Sequence, residues 1–289
     1  MSSLKEIKSR IASIRNTQKI TSAMRMVASA KLHHVQGMTE AFLRYKDHLQ
    51  SIVDDLTSNP TPLTSNPSPL TSNLSVLLIP ISSNSGLCGA FNSNMAKATM
   101  QQIQKLEAQS KQVRLLPIGK KIAHELKKAH LDYIPDYVSL LDKIEKGGTF
   151  SDVSDFIAFA LQLYQNKEVD GVEFLYHHFK SMGSQVIQVD SLPLTSHLSP
   201  LTSHYSLLTE PSPQELMVSL YPRLLNAQAY SVLLDSLTSE HAARMMAMQT
   251  ADDNANDLLK ELTLLYNKTR QQAITDELID IMSGKGTNS

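Results

Sequence analysis

The sequence contains a single cysteine, Cys88, so no intramolecular disulfide can form and a reducing compartment is the natural expectation. The formal net charge is only −1, which gives no general sign of binding to nucleic acid or to an anionic membrane. The longest apolar run, around Val76–Ile81, is far too short to span a bilayer, and the opening residues lack the apolar core of a signal peptide. We therefore expect a soluble chain, or one attached to a membrane only through partners.

The N-terminal segment has the heptad pattern of a long coiled-coil helix. No proline occurs before Pro60, and Ser3 and Glu6 form a capping box at its start. Mostly apolar residues recur every seven positions in one row, and a second row of apolar residues lies three or four positions away from the first. The first row is Ile7, Ile14, Thr21, Ala28, Val35, Phe42, Leu49 and Leu56, and the second is Ile11, Met24, Met38, Tyr45 and Ile52. A helix over Leu4–Leu56 would be roughly 80 Å long, so it needs a partner helix along its length.

The C-terminal segment supplies a helix of similar length. Ser212 and Glu215 form a second capping box with Pro213 at the first helical position, and Pro222 is expected to kink or interrupt the helix early. Its heptad rows contain small and polar residues: Leu234, His241, Met248, Ala255, Leu262 and Thr269, with Met245, Asp252, Leu259, Tyr266 and Ala273 beside them. The first helix is basic up to Lys31 and the last is acid-rich, which predicts an antiparallel coiled coil with opposite charges face to face.

Short strand-like and helical stretches alternate in the middle of the chain, which favours an open α/β sheet. The strand-like runs are Leu74–Ser82, Gln112–Ile118 and Asp132–Val138, followed in turn by helical stretches at Phe91–Gln109, Lys120–His130 and Asp152–Asn166. Gly171–Phe179 and Gln185–Asp190 are close enough to form a hairpin. The predicted fold class is therefore mixed α and β: a Rossmann-like α/β domain at 74–191, inserted between coiled-coil helices at 1–56 and 212–289.

Two tracts rich in Ser, Thr and Pro flank the predicted α/β domain. The tract at 57–73 repeats a Leu-Thr-Ser-Asn-Pro theme, and the tract at 192–211 echoes it. Such compositions bury little apolar surface, so both tracts are interpreted as linkers, although a binding role is a possible alternative.

The sequence offers no catalytic constellation. Gly119-Lys120 follows a strand, but a phosphate-binding loop would need a glycine five residues earlier and Ser or Thr after the lysine, where Arg114 and Lys121 stand. Cys88 has no accompanying histidine pattern, and a tight turn is the better interpretation. The adjacent histidines of each pair, His33-His34 and His177-His178, point to different faces, so a metal site is not expected. We expect no catalytic residue, no bound cofactor and no metal.

Three strings, in order along the chain, carry a family resemblance. The opening string (Lys5 to Ile11, then Asn16 to Ala28), the loop Gly86 to Asn92 and the closing strings (Ser239 to Met248, then Lys260 to Leu262 and Leu265 to Lys268) closely resemble ATP synthase gamma subunits. The resemblance spans nearly the whole chain. It implies a non-catalytic central-stalk rotor subunit of an F-type ATP synthase, which couples transmembrane ion flow to ATP synthesis or hydrolysis by rotation.

The resemblance also implies partners and a location. The two helices would enter a ring of alpha and beta subunits, and the α/β domain would contact the epsilon subunit and the membrane c-ring. The expected location is the cytoplasmic face of the bacterial inner membrane, as a peripheral subunit that reaches the membrane only through partners, with no nucleic acid bound.

Individual residues match positions that are implicated in coupling in this family. These implied contacts to the catalytic subunits are Met24, Arg25, Arg244, Gln271, Thr275 and Glu277, and Glu210 matches an acidic position near the membrane ring. Ordinary coiled-coil surface is the alternative for each. The chain departs from the family where Asn84-Ser85 replaces an acid–base pair, and where Leu207, Leu208 and Thr209 replace aromatic residues.

Three other functions remain alternatives at this point. One is an α/β enzyme with helical arms, against which the missing phosphate-binding loop and catalytic triad argue. A coiled-coil adaptor with an α/β head would have the same periodicity, and only the three strings argue against it. A nucleic-acid-binding helix would use the N-terminal cations. The dispersed charges, the few aromatic residues and the acidic partner helix argue against this last alternative.

Overall fold

The computed structural model describes residues 4–56, 75–145, 150–192, 210 and 212–285. The tract at 57–73 and most of the tract at 192–211 lie outside these residues, as does Ser3 of the first capping box. The elements are α1 (Leu4–Leu56), β1 (Ser75–Pro80), α2 (Phe91–Ala108), β2 (Gln112–Leu115), α3 (Lys120–Lys128), α4 (Leu140–Glu145), α5 (Phe150–Gln165), β3 (Gly171–Ser181), β4 (Ser184–Leu192) and α6 (Pro213–Lys285).

The chain divides into two compact units, residues 1–29 with 245–289, and residues 30–244. In the first unit the two long helices run antiparallel, because Gln18 Nε2 donates to Asn256 Oδ1 over 2.6 Å while Arg25 contacts Gln249, earlier in α6. Every first-row residue of α1 and every heptad residue of α6 is buried or half-buried. In the second row of α1, Tyr45 and Ile52 are exposed instead. The predicted fold class, long terminal helices flanking a small α/β sheet, is confirmed.

The second unit is built on a four-stranded sheet with the order β2-β1-β3-β4. The strand β1 is parallel to β2 and β3, and β3 pairs antiparallel with β4 as the predicted hairpin. Its central strand β1 is apolar and almost completely buried, as expected for a strand covered on both faces. One face packs under α5 and the inner parts of α1 and α6, where Val35, Leu225 and Leu233 join the sheet core. The opposite face packs under α2 and α3.

Two local predictions are wrong. Residues 132–138 form no strand. Pro135 has no N–H to donate to a ladder, and the bonds from Ile134 N to Leu115 O and from Gly119 N to Val138 O, both 2.9 Å, stay isolated. The sequence predicts a kink or an interruption at Pro222; α6 continues across this residue, so the interruption is the part of that prediction that is wrong. The cost of an interior proline, about 3 kcal/mol, is offset there by burial of the neighbouring Leu224 and Leu225.

The second capping box is formed in part. Glu215 N lies 3.4 Å from Ser212 Oγ, a long hydrogen bond, and Leu216 N donates to Ser212 O at 3.0 Å. None of the described helices combines the length and the apolar content that a membrane span requires.

Candidate coupling site

Two of the implied coupling residues lie where α1 and α6 pair. Met24 belongs to the second heptad row and is half-buried. Arg25 donates from Nη1 to Gln249 Oε1, and the same nitrogen lies 3.8 Å from Asp252 Oδ2. The Arg25 side chain is 31% exposed, so part of the guanidinium remains accessible to a partner. This pair is one contact of the predicted kind between the basic and acidic helices.

Three further implied residues lie near the end of α6. Gln271, Thr275 and Glu277 are all exposed, and Thr275 Oγ1 donates to Gln271 O at 2.9 Å within the helix. Large apolar side chains are exposed around them: Ile274, Leu278, Ile279, Ile281 and Met282. An apolar helix surface of this kind is typical of a protein–protein contact.

Arg244 and Glu210 are placed differently from the other implied residues. Arg244 Nη2 donates to Glu240 Oε1 and to Ser85 Oγ, both at 2.7 Å. Its side chain is only 12% exposed, so its hydrogen-bonding groups face this chain. Glu210 is exposed in a bend just before α6. Neither of these two hydrogen bonds of Arg244 involves Glu210.

A cluster of charged residues surrounds Arg244, beside a cleft of about 320 Å³ at the end of β1. On α1, Lys31 Nζ lies 2.6 Å from Glu145 Oε1 at the end of α4. On α6, the buried His241 places Nε2 3.5 Å from that same oxygen, too far for a hydrogen bond. The cluster thus links both long helices to the α/β part of the second unit.

A second set of polar contacts lies at the other side of the same cleft. Lys120 Nζ lies 3.2 Å from Asp142 Oδ2, and Asn84 Nδ2 donates to Asp142 Oδ1 at 2.7 Å. The side-chain oxygen of Asn84 also accepts from Lys120 N at 2.9 Å, at the start of α3. Asn84 and Ser85, where the chain departs from the family pattern, are therefore both bonded across the cleft.

Burial shifts the pKa values of two residues beside this cleft, Glu240 and His241. Burial raises the pKa of the Glu240 carboxyl, and the neighbouring Arg244 cation opposes that rise. Burial lowers the pKa of His241 to about 4, although the Glu145 carboxylate acts in the opposite direction. At neutral pH the imidazole of His241 is therefore uncharged, and Lys31 and Arg244 are the cations beside Glu145 and Glu240.

Sequence reasoning did not find Ser85, Glu145 or Glu240 as members of this cluster. Arg244 and Ser85 are 159 positions apart, and no spacing rule relates them. The only available signal is the unusual Ser85 within the otherwise family-like loop.

The described residues show no arrangement typical of a reaction centre. Cys88 is buried in a turn, where Asn92 Nδ2 lies 3.1 Å from its Sγ. No three His, Cys, Asp or Glu side chains of the described residues are grouped so that they could hold a metal ion.

Comparison with known proteins gives a consistent result across the chain. The family model described as ATP synthase matches residues 3–286. The ATP synthase gamma chain of Parabacteroides distasonis is 47% identical over 291 residues, covering 100% of both chains. That of Bacteroides fragilis is 41% identical, covering 98% of this chain and 99% of its own.

Solved structures share the fold. A chain of the Tetrahymena thermophila mitochondrial ATP synthase central stalk and c-ring is 25% identical, with a TM-score of 0.55 over 80% of this chain and 99% of its own. A chain of the Euglena gracilis mitochondrial ATP synthase rotor is 20% identical, with a TM-score of 0.62 over 94% of this chain and 98% of its own. From the full-length match to gamma chains and from the paired terminal helices around an α/β sheet, the chain belongs to the ATP synthase gamma family, the central-stalk subunits of F-type ATP synthases.

Proposed function

We propose that this chain carries torque between a membrane c-ring and a ring of alpha and beta subunits, and that it has no catalytic site of its own. Residues 4–29 with 245–285 are the part that would turn inside the alpha and beta ring. Different faces of this helix pair would contact different catalytic subunits and favour a different nucleotide affinity in each, which is coupling by differential contact.

The observation that carries the proposal is the exposed apolar end of α6. Because Gln18 lies opposite Asn256 and α1 begins at Leu4, α1 reaches only to about position 270 of α6. Beyond that position, large apolar side chains such as Met282, 76% exposed, lie past the described residues of α1. Surfaces of this kind are stabilised by burial against a partner. The alpha and beta subunits surrounding this end of α6 would bury these apolar side chains.

The residues proposed to contact the catalytic subunits are Met24, Arg25, Gln271, Thr275 and Glu277. The exposed parts of the half-buried Met24 and Arg25 side chains would contact the catalytic subunits. The other three residues have exposed side chains on α6. Arg244 is the sixth residue implied for coupling, and it is bound to Glu240 and Ser85 within the chain. Gln271, Thr275 and Glu277 are proposed to change coupling more than assembly, because these exposed residues make few contacts that hold the fold.

Residues 30–244 supply the surface proposed to bind the epsilon subunit and the c-ring, with Glu210 close to the ring. Glu210 is exposed, and its carboxylate could pair with a basic or polar loop of a c subunit. The proposed location is the cytoplasmic face of the bacterial inner membrane.

The test is reconstitution with purified alpha and beta subunits and with the membrane sector, using the full chain and a chain truncated after Leu265. Truncation removes the exposed apolar end of α6 and leaves the pairing of Gln18 with Asn256 in place. We expect the truncated chain to support ATP hydrolysis but to pump fewer ions per ATP. The variant Lys260→Gln is a matched control, since it only breaks an exposed pair with Asp257.

Two results would contradict the proposal. If the full chain neither joins the alpha and beta ring nor changes ATP turnover, the chain is a coiled-coil adaptor instead. If the truncated chain pumps as many ions per ATP as the full chain, the end of α6 is not a coupling surface.

A further inference from the structure

A cation on each long helix binds the α/β part of residues 30–244. Lys31 on α1 binds Glu145 at the end of α4, with 2.6 Å between Nζ and Oε1. Arg244 on α6 binds Ser85, in the loop after β1, with 2.7 Å between Nη2 and Oγ. We call these four residues and Glu240, the second partner of Arg244, the ionic clamp.

The ionic clamp occupies a particular position along the chain. The compact α/β unit comprises residues 30–244, so Lys31 and Arg244 are among its outermost residues on α1 and α6. Both helices continue without a break past these two residues. A twisting force carried along either helix into this unit therefore meets the ionic clamp before it meets the sheet.

The helices make two further kinds of contact in this unit: apolar contacts with the sheet core, and bonds from α6 to β3 through Asp235 and Ser239. Val35 on α1 and Leu233 and Leu237 on α6 are buried in the same core as the sheet. Apolar contact is stabilising, but it does not depend on the direction of individual bonds. Hydrogen bonds to charged groups depend strongly on direction, and they are shorter and stronger than neutral ones.

The cleft beside the ionic clamp does not have the charge of an anion site. The three cations around it each face a carboxylate: Lys31 with Glu145, Lys120 with Asp142, and Arg244 with Glu240. Opposite charges are therefore balanced within the chain. This balance favours a structural linkage over the binding of a ligand.

We propose that Lys31 and Arg244 are positioning residues that stop α1 and α6 from turning about their own axes against the α/β part when torque passes through the chain. The proposal rests on the torque-carrying function proposed above. It gives Arg244 a role inside the chain, through Ser85, in place of a contact with the catalytic subunits.

Ser85→Ala is the most informative variant. It removes the bond between α6 and the loop after β1, but it leaves the pair between Arg244 and Glu240 intact. No buried charge loses its partner, so the fold is retained. Ser85→Thr keeps the hydroxyl at an exposed position and serves as the conservative variant. Lys31→Gln and Lys31→Arg form the corresponding pair on α1.

The variants are compared in the complete complex, reconstituted in vesicles. ATP hydrolysis is measured without an ion gradient, and ATP-driven pumping is measured against gradients of increasing size. Both rates are divided by the amount of chain present in the purified complex. Glu125→Gln is the matched control, because its pair with Lys128 lies on the surface of α3 and joins no two elements.

We expect Ser85→Ala and Lys31→Gln to hydrolyse ATP at the wild-type rate without a gradient. Against a large gradient, their pumping should fall about two- to thirtyfold, the range for changes that alter coupling without touching either site. Ser85→Thr, Lys31→Arg and Glu125→Gln should pump like the wild type. A variant that only destabilises the complex would lower ATP hydrolysis without a gradient as much as it lowers pumping.

The proposal is overturned if Ser85→Ala pumps like the wild type against the largest gradient, or if the conservative variants lose as much as Ser85→Ala and Lys31→Gln. If Lys31→Gln does not enter the complex, Ser85→Ala alone decides. Pumping by the wild-type complex tests the torque-carrying function separately, so failure of that function is distinguishable from failure of the ionic clamp.

Discussion

The Nδ1 atom of His178 lies 2.6 Å from Oδ2 of Asp235, and this pair joins the β3–β4 hairpin to α6. The other oxygen of Asp235 accepts a hydrogen bond of 2.8 Å from the backbone N–H of Phe179. One carboxylate of α6 thus holds both a side chain and the backbone of β3. The Asp235 side chain is largely buried, so these bonds are protected from water.

Asp235→Ala should loosen the hairpin, because the N–H of Phe179 and the imidazole of His178 both lose their acceptor. A lost bond to a charged group costs about 2 kcal/mol, which corresponds to about thirtyfold faster local opening. Amide hydrogen exchange of 171–192 in the assembled complex measures this rate. Asp257→Ala, at an exposed pair in α6, should leave the exchange of these amides unchanged.

Gly119→Ala should prevent correct folding of the α/β unit. Gly119 has φ of 109°, and an added Cβ would lie 2.1 Å from Ser82 O, a backbone atom that cannot move aside independently. We expect a loss of about 3 kcal/mol or more, measured as a lower thermal midpoint or as aggregation. An unchanged midpoint would contradict this reading of the turn.

Gly37→Ala is the matched control for that substitution. Gly37 lies within α1, and nothing is within 4 Å of the position where its Cβ would be. Alanine is the better helix former by up to about 1 kcal/mol. The thermal midpoint should therefore stay the same or rise.

Ala28→Leu should weaken the pairing of the helices. Ala28 is 2% exposed in the first heptad row, so a larger side chain there would have to push its buried neighbours aside. Overpacking of this kind costs about 1–3 kcal/mol. Limited proteolysis within 4–29 and 245–285 would report the change. Ala30→Leu, at an exposed position of the same helix, should leave the cleavage rate unchanged.

His177 should make the stability of the chain depend on pH. It is buried, its ring is stacked 4.0 Å from that of Phe91, and burial lowers its pKa to about 4 from the usual 6.5. Between these values the unfolded chain binds the proton and the folded chain does not. The stabilising contribution is therefore complete above pH 6.5 and is lost as the pH falls towards 4.

The variant His177→Leu isolates this contribution. The buried His241 acts in the same direction, and the raised pKa of Glu240 acts in the opposite one, so only the difference between wild type and variant is informative. Urea unfolding at several pH values should show a shallower decrease for the variant, by about 1–3 kcal/mol over this range. If the free energies of unfolding of wild type and variant fell in parallel as the pH is lowered, the pKa of His177 would be the same in the folded and unfolded chains.

The helices could be predicted from the sequence because their signals are local and repeated. Heptad spacing identified residues such as Ile7, Val35 and Leu234, and each is buried as expected. The pattern was less informative for Tyr45 and Ile52, which are exposed, because the neighbours of α1 change along its length. The segment at 132–138 has strand-like composition, but Pro135 lacks the backbone N–H that a regular strand ladder needs.

The ionic clamp could not be predicted, because its contacts join elements far apart in sequence. Lys31 and Glu145 are 114 positions apart, and each alone resembles an ordinary surface charge. Arg244 was found through the family resemblance, which implied a partner contact and gave no indication of Ser85. Only the fold of the α/β unit brings these residues together.

The hydrogen bond between Gln18 and Asn256 joins residues 238 positions apart. During synthesis, the first part of α1 therefore leaves the ribosome long before its partner in α6 exists. The apolar heptad row of this part of α1 therefore stays exposed, or bound by a chaperone, until almost the whole chain has been made. Biogenesis of this subunit thus depends on protecting a nascent helix, and premature termination would release a product with that helix unpaired.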